Sequence, residues 1–196
     1  TPEGNIRAAF KPIKRGRQKG YWESYEAEIA AYRLDRLLGL DMVPPTVRRQ
    51  IDGDTGSLQL WVEDTTLYGD VADKTPRTLA WARQLSALKL FDILVNNDDR
   101  NAQNFLVCPH FTVILIDHSR AFVSGDRILK NKDKLPLAFD RELVEKMKAL
   151  TQDELDALLG DLLMGGQIKD IIKRRDGLLK HVDELVAERG GARVFY

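Results

Sequence analysis

Between residues 25 and 38 apolar side chains recur at helical spacing: Ala27, Ala31, Leu34 and Leu38 share one face, and Gly39 supplies a stop. This pattern predicts a helix from Ser24 or Tyr25 to Leu38. Shorter apolar runs flank it. Residues 6–11, closed by Pro12, read as a strand, and 42–47 read as an extended segment leading into a strand. Residues 52–56 form a turn, and 57–63 read as a further strand. The basic, Gly-containing stretch 14–20 is expected to be a mobile loop. From residue 76 the pattern lengthens. Trp81, Leu85, Leu88, Phe91 and Val95 mark one face of a long helix, with Thr75 as N-cap and Pro76 at its first position. Residues 105–107 and 113–116 read as two short buried strands joined by a turn at 108–112. The remainder reads as helices over 141–150, from the capping-box sequence Thr151-Gln152-Asp153-Glu154, and over 167–189 before Gly190-Gly191. No internal repeat interrupts this order. The prediction is an α+β, two-lobed chain with a small α/β lobe at 1–70, a mainly helical lobe at 71–196, and a cleft near 63–71.

Composition narrows the class. The 196 residues are 43% hydrophobic and 31% charged, with a formal net charge of +0, which describes a globular protein long enough to bury a core. A neutral balance argues against nucleic acid as the main partner, because no basic field exists to neutralise phosphates. No apolar run reaches bilayer-spanning length, and no secretory signal pattern opens the chain, although Thr1 in place of Met suggests trimming. The single Cys108 excludes an intrachain disulfide and is expected to be a buried small side chain. Together these features point to a bacterial cytoplasmic protein.

The densest candidate chemistry is Asn97-Asp98-Asp99-Arg100-Asn101-Ala102-Gln103-Asn104, followed by the apolar run 113–116 ending on Asp117. Asn104 lies five residues after Asp99, and Asp117 thirteen after Asn104. A phosphotransferase of kinase type needs this order: an Asp to orient the attacking hydroxyl, then an amide and a second Asp for the cations on the nucleotide phosphates. Mg²⁺ prefers such hard oxygen ligands. Asp and Asn also cluster in ordinary turns, but two apolar strands with carboxylates at their ends favour a metal-holding hairpin. Lys11 closes the first strand and Glu28 sits in the first turns of the next helix. A strand Lys held by a helix Glu places a point charge on phosphates; the plainer reading of each is a solvated surface charge.

These motifs resemble a known family. Ala8-Ala9-Phe10-Lys11-Pro12, the run from Ala27 to Gly39, Val43-Pro44-Pro45, Asp99-Arg100 and Asp117-His118-Ser119-Arg120-Ala121-Phe122 are similar to the secretory-pathway kinases of the Golgi casein kinase and four-jointed group. More distantly they resemble phosphatidylinositol 3- and 4-kinase and HipA-type catalytic domains. The resemblance implies a bilobal protein-kinase-like fold, ATP as donor and Mg²⁺ or Mn²⁺. It assigns Lys11 to the phosphates, Glu28 to Lys11 or the metal, Asp99 as the catalytic Asp and Asp117 as principal metal ligand. Asn104 departs from the nearest secretory members, which carry an acid there, and matches ordinary protein and lipid kinases as a second metal ligand. Asn101 stands where many relatives have His.

Other positions carry less. Trp61, Val62 and Glu63 fall where a hinge would offer backbone groups to adenine, with the Trp61 ring expected in the core. Asp98 misses the spacing and is read as a loop-shaping neighbour. His118 lacks partners for a zinc site. Arg120 orients the loop after Asp117 or forms a surface pair, and Lys173-Arg174-Arg175 paints a solvated helix face. Only Gly4 is available for a phosphate-covering Gly-rich loop. The expected reaction is γ-phosphoryl transfer to a hydroxyl, on protein Ser/Thr first and on a sugar or lipid second. A catalytically silent nucleotide-binding module, or a metal-dependent hydrolase needing no Lys11, are the alternatives.

Overall fold

Helix α1 (Tyr25–Leu38) has the bounds its sequence predicts, because both ends are chemically marked. Ser24 Oγ accepts from Ala27 N at 3.2 Å, and Gly39 closes the helix at φ 65°, a left-handed position that suits glycine. The computed structural model describes residues 6–126, 129–130 and 135–196. Gly4 lies outside them.

One face of α1 packs on a three-stranded antiparallel sheet ordered β1 (Ala8–Lys11), β5 (Asp54–Leu60), β4 (Thr46–Ile51). The register sets Ala9, Gln59 and Thr46 in one row, and Lys11, Ser57 and Arg48 two rows on, on the same face. Gln59, Thr46 and Ser57 are buried, so this is the inward face, and it carries Lys11. The turn between β4 and β5 is tighter than predicted. Asp52 and Gly53 both take positive φ, the two-residue hairpin solution, so pairing runs through to Ile51 and Asp54.

Residues 14–20 correct the sequence reading. They are not simply a loop: Gly16–Gln18 (β2) and Tyr21–Glu23 (β3) pair as a hairpin whose turn, Lys19-Gly20, also has positive φ at both positions. Three-residue strands carry too little alternation to register as a pattern.

The chain then enters a second three-stranded sheet, β6 (Thr66–Leu67), β7 (Phe105–Val107), β8 (Val113–Leu115), and the helices α2 (Tyr68–Val71) and α3 (Leu79–Val95). Thr78, not Thr75, caps α3, its Oγ1 accepting from Trp81 N at 3.2 Å, so Pro76 precedes the helix. Cys108, expected to be buried, is half-buried at the β7–β8 turn, and burial raises its thiol pKa. Beyond residue 135 the fold is helical: α4 (Arg141–Ala149), α5 (Gln152–Leu159), α6 (Gly165–Arg189) and α7 (Gly191–Val194). Among the described residues no helix is long and apolar enough to cross a membrane.

The core of this part is the seam between α3 and α6. Arg174 sits inside it, on the same stripe as Ile171 and Leu178, and is 1% exposed. Its Nε donates to Leu94 O and its Nη1 to Gly125 O, each at 2.8 Å, while burial lowers its pKa to about 10. The solvated face expected of 173–175 is therefore confined to Lys173, which pairs with Asp170. Arg175 turns back to donate to Leu150 O. The α+β class read from the sequence is the class observed.

Candidate active site

Three chain segments meet at Lys11. Its Nζ lies 2.6 Å from Glu28 Oε1 and 3.0 Å from Asp117 Oδ1. Glu28 comes from the buried face of α1 and is 1% exposed; its other oxygen accepts from His118 N at 2.9 Å. Burial pulls the Lys11 ammonium downward, but Glu28 and then Asp117 outweigh it, and the group titrates above its ordinary value. Lys11 is therefore a fixed cation at neutral pH.

Asp117 follows β8 at φ 61°, left-handed for a non-glycine residue, and its side chain is 48% exposed. The left-handed region is uncommon for non-glycine residues, although Asp and Asn enter it more readily than most. Among the described residues only its Oδ1 is engaged, by Lys11 at 3.0 Å and Ser119 Oγ at 3.5 Å.

Asp99 stands on the loop after α3. The helix ends at Asn96, also left-handed at φ 52°, and Asn97 N donates back to Asp92 O at 2.8 Å. Asn104 closes the loop from inside: its Nδ2 donates to Asp99 O at 2.6 Å, and its Oδ1 accepts from Asn101 N at 2.9 Å. Asn104 is thus a buried brace, and its Oδ1 also lies 3.5 Å from Arg100 Nη1.

Beneath the loop lies a layer that spacing arguments missed. Arg100 grips Asp92 with Nε and Nη2 at 2.9 and 3.0 Å, and its Nη1 donates to Ile116 O at 2.8 Å and to Asn104 O. Asp92 is buried in α3. Burial raises its carboxyl pKa, and Arg100 opposes that shift. Arg100 Nη2 also lies 2.9 Å from His118 Nε2. Burial, then the charges of Arg100 and Lys11, hold His118 well below its ordinary pKa, so the ring is neutral. Arginine only donates, so Nε2 accepts and the ring proton sits on Nδ1, 3.9 Å from Glu28 Oε2. His118 is a structural link between the two halves of the site. The signal for this layer was Asp92 itself, a carboxylate inside the apolar run Leu90 to Val95.

Arg120 was the other underrated residue. It pairs with Glu23 at 2.8 Å and with Asp99 at 3.0 Å.

The structure brings Lys11, Glu28 and Asp117 into direct contact, and Asp99 and Asn104 into one loop. Among the described residues, 61–63 make no hydrogen bond or ion pair to any of these five. Trp61 N donates to Arg7 O at 3.0 Å, and Val62 O accepts from Thr65 Oγ1 at 3.1 Å. The Glu63 carboxylate pairs with Arg7. The Trp61 ring, expected in the core, is 52% exposed beneath the Arg7 guanidinium, because the sheet ends at Leu60.

Among the described residues no group of three His, Cys, Asp or Glu side chains is gathered to hold a metal unaided. The Asp117 carboxylate nevertheless fits a hard divalent cation shared with phosphate oxygens, being half-exposed with Oδ2 unengaged among the described residues. Asn104 Oδ1, on the Asp99 loop, is the second oxygen the site offers.

A family model described as phosphatidylinositol 3- and 4-kinase matches residues 8–164. A rice protein (Oryza sativa subsp. japonica) named phosphatidylinositol 4-kinase gamma 4 is 33% identical over 125 residues, 54% of this chain and 21% of its own length. The chain therefore spans about a fifth of that relative. Two solved structures share the fold at low identity. The Golgi casein kinase with Mn/ADP bound has a TM-score of 0.68 at 17% identity, covering 96% of this chain and 70% of that one. Fam20 of hydra with sugar has a TM-score of 0.69 at 15% identity, covering 100% and 82%. Both support the bilobal, kinase-like α+β fold.

Proposed function

The chain belongs to the phosphatidylinositol 3- and 4-kinase family, and from that premise we propose that it transfers the γ-phosphoryl group of ATP to a hydroxyl with a divalent cation. The observation that carries this reading is the contact of Lys11 with both Glu28 and Asp117 beside the loop of Asp99.

Lys11 serves as a fixed positive charge for the nucleotide phosphates, and Glu28, with both oxygens engaged, holds Lys11 in place. Asp117 and Asn104 are the residues that would hold Mg²⁺ or Mn²⁺. When bound, such a cation neutralises charge on the phosphate oxygens. Asp99 orients the acceptor hydroxyl. As the new phosphorus–oxygen bond forms and the bond to ADP breaks, the hydroxyl proton passes to the Asp99 carboxylate. The residues of this machinery fall in a nucleotide lobe assigned to 1–70 and a catalytic lobe assigned to 71–196.

Protein Ser/Thr is the first acceptor reading, supported by the likeness to the Golgi casein kinase. An inositol lipid is the second, supported by the matching family description and the rice relative's name. The test is label transfer from γ-labelled ATP, with Mg²⁺ and with Mn²⁺, to casein and to phosphatidylinositol vesicles, for wild type and Asp117→Ala. Transfer to casein lost in the variant supports the first reading, and transfer to lipid alone replaces it with the second. Metal-dependent ATP binding without turnover would make the chain a silent nucleotide-binding module. Neither binding nor turnover would sink the site.

A further inference from the structure

The β2–β3 hairpin has two unlike faces. Its register sets Gly16 opposite Glu23, Arg17 opposite Trp22 and Gln18 opposite Tyr21. Strand alternation therefore puts Tyr21 and Glu23 on one face and Trp22 on the other. The Tyr21–Glu23 face meets Arg120. Arg120 Nε donates to Glu23 Oε1 at 2.8 Å, and its guanidinium carbon lies 4.1 Å from the centroid of the Tyr21 ring. From the same planar group Nη1 donates to Asp99 Oδ2 at 3.0 Å. The hairpin is tied a second time where it enters α1, since Ser24 N donates to Ser119 O at 2.9 Å.

A guanidinium presents its donors in a fixed fork, so holding one side on Glu23 and Tyr21 fixes the direction of the other. That other side holds one oxygen of Asp99. Among the described residues Asp99 Oδ1 has no partner, and it is the oxygen left for an acceptor hydroxyl.

We propose that Arg120 is a positioning residue for Asp99 and that the hairpin 16–23 is an acceptor-side arm: Tyr21 and Glu23 set Arg120, and Arg120 sets the Asp99 carboxylate. The proposal rests on the reading of Asp99 as the residue that orients the acceptor. Among the described residues no side-chain contact joins Tyr21, Glu23 or Arg120 to Lys11, Glu28 or Asp117, the nucleotide-side residues. The proposal therefore separates turnover from nucleotide affinity.

The test uses the full chain and γ-labelled ATP, reading phosphate release with water as acceptor and label transfer with casein. Arg120→Met is expected to lower kcat by roughly 30-fold or more, and Tyr21→Ala by about 10-fold, with KM for ATP within about twofold of wild type. Tyr21→Phe keeps the ring under the guanidinium and is expected to restore kcat. Trp22→Ala, on the opposite face of the same hairpin, is expected to leave it unchanged. Full activity in Arg120→Met overturns the proposal, as does equal damage from Trp22→Ala and Tyr21→Ala, or a loss that appears as weaker ATP binding. A second measurement is independent of turnover. Removing the Asp99 charge in Asp99→Asn is expected to speed amide hydrogen exchange in residues 16–23 several-fold, and unchanged exchange overturns the tie itself. Wild type without Asp117-dependent phosphate release would sink the phosphotransferase reading and the catalytic role of Arg120 with it, while the exchange result still decides whether the tie exists.

Discussion

Two cation–carboxylate clusters lie within one site and are built to opposite specifications. In the lower one, Arg100 and Asp92 are both under 10% exposed, and the guanidinium is further occupied by two carbonyls and His118. In the upper one, Lys11 meets a buried Glu28 on one side and a half-exposed Asp117 on the other. The lower cluster is closed, with its charges taken up inside the protein. The upper one is open to solvent on the Asp117 side. A catalytic centre needs both: a rigid bed that fixes the Asp99 loop, and above it charges still free to take new partners. A lysine suits the open place because its three donors swivel on a flexible stem, and an arginine suits the closed one because its fork is rigid.

The largest expected effect breaks the upper cluster alone. Asp117→Ala should lower phosphate release from ATP by roughly 10³-fold, while the thermal midpoint moves by no more than about 4 °C because the side chain is half exposed. Steady-state kinetics beside a melting curve checks both. Asp92→Asn should reverse that profile, costing about 3–5 kcal/mol of stability in urea unfolding because Arg100 loses its buried counter-charge. If Asp92→Asn proved as mild in unfolding as Asp117→Ala, the contrast would fail. Arg100→Lys asks whether the fork matters beyond the charge. Lysine cannot serve Asp92, His118 and the Asn104 and Ile116 carbonyls together, so a loss of about 1–3 kcal/mol is expected in the same assay.

The smallest effect is a pH slope. The folded-state pKa of His118 lies below its ordinary 6.5, so the unfolded chain binds the proton first as pH falls. Its contribution to stability is complete above that ordinary value and declines below it, by at most about 1.4 kcal/mol per pH unit. His118→Phe should flatten the stability profile between pH 6.5 and 5 relative to wild type.

What the sequence disclosed follows the same division. Part of the site was legible by position: Asp99, Asn104 and Asp117 stand at offsets of five and thirteen, and Lys11 and Glu28, which meet Asp117 in the upper cluster, at a strand end and in the first turns of a helix. The lower cluster obeys no such rule. Arg100 meets His118 and Ile116 only because β8 returns beside the loop, and nothing local announces that return. Helix α1 was readable from Ser24 and Gly39, whereas α3 offered two threonines and the wrong one preceded a proline. The β2–β3 hairpin turned on Lys19-Gly20, outside the Asn-Gly and Asp-Gly pairs that mark such turns. Arg174 was misjudged because a basic triplet looks solvated until the helix phase shows one member on the apolar stripe.

The separations along the chain add a consequence for assembly. Arg100 reaches Asp92 across 8 residues, Ile116 across 16 and His118 across 18, while Lys11 and Asp117 are 106 apart. Short closures form early and long ones late, since the entropy of closing a loop grows with its length. The bed under Asp99 is therefore expected to take shape while the β1 sheet is still finding its place, and the grip of Lys11 on Asp117 to come last. Substitutions at Asp92 or Arg100 should slow refolding, and those at Lys11 should mainly quicken unfolding. Under the proposed phosphotransfer, the chain would then complete the loop that orients the acceptor before the means of presenting a phosphate to it.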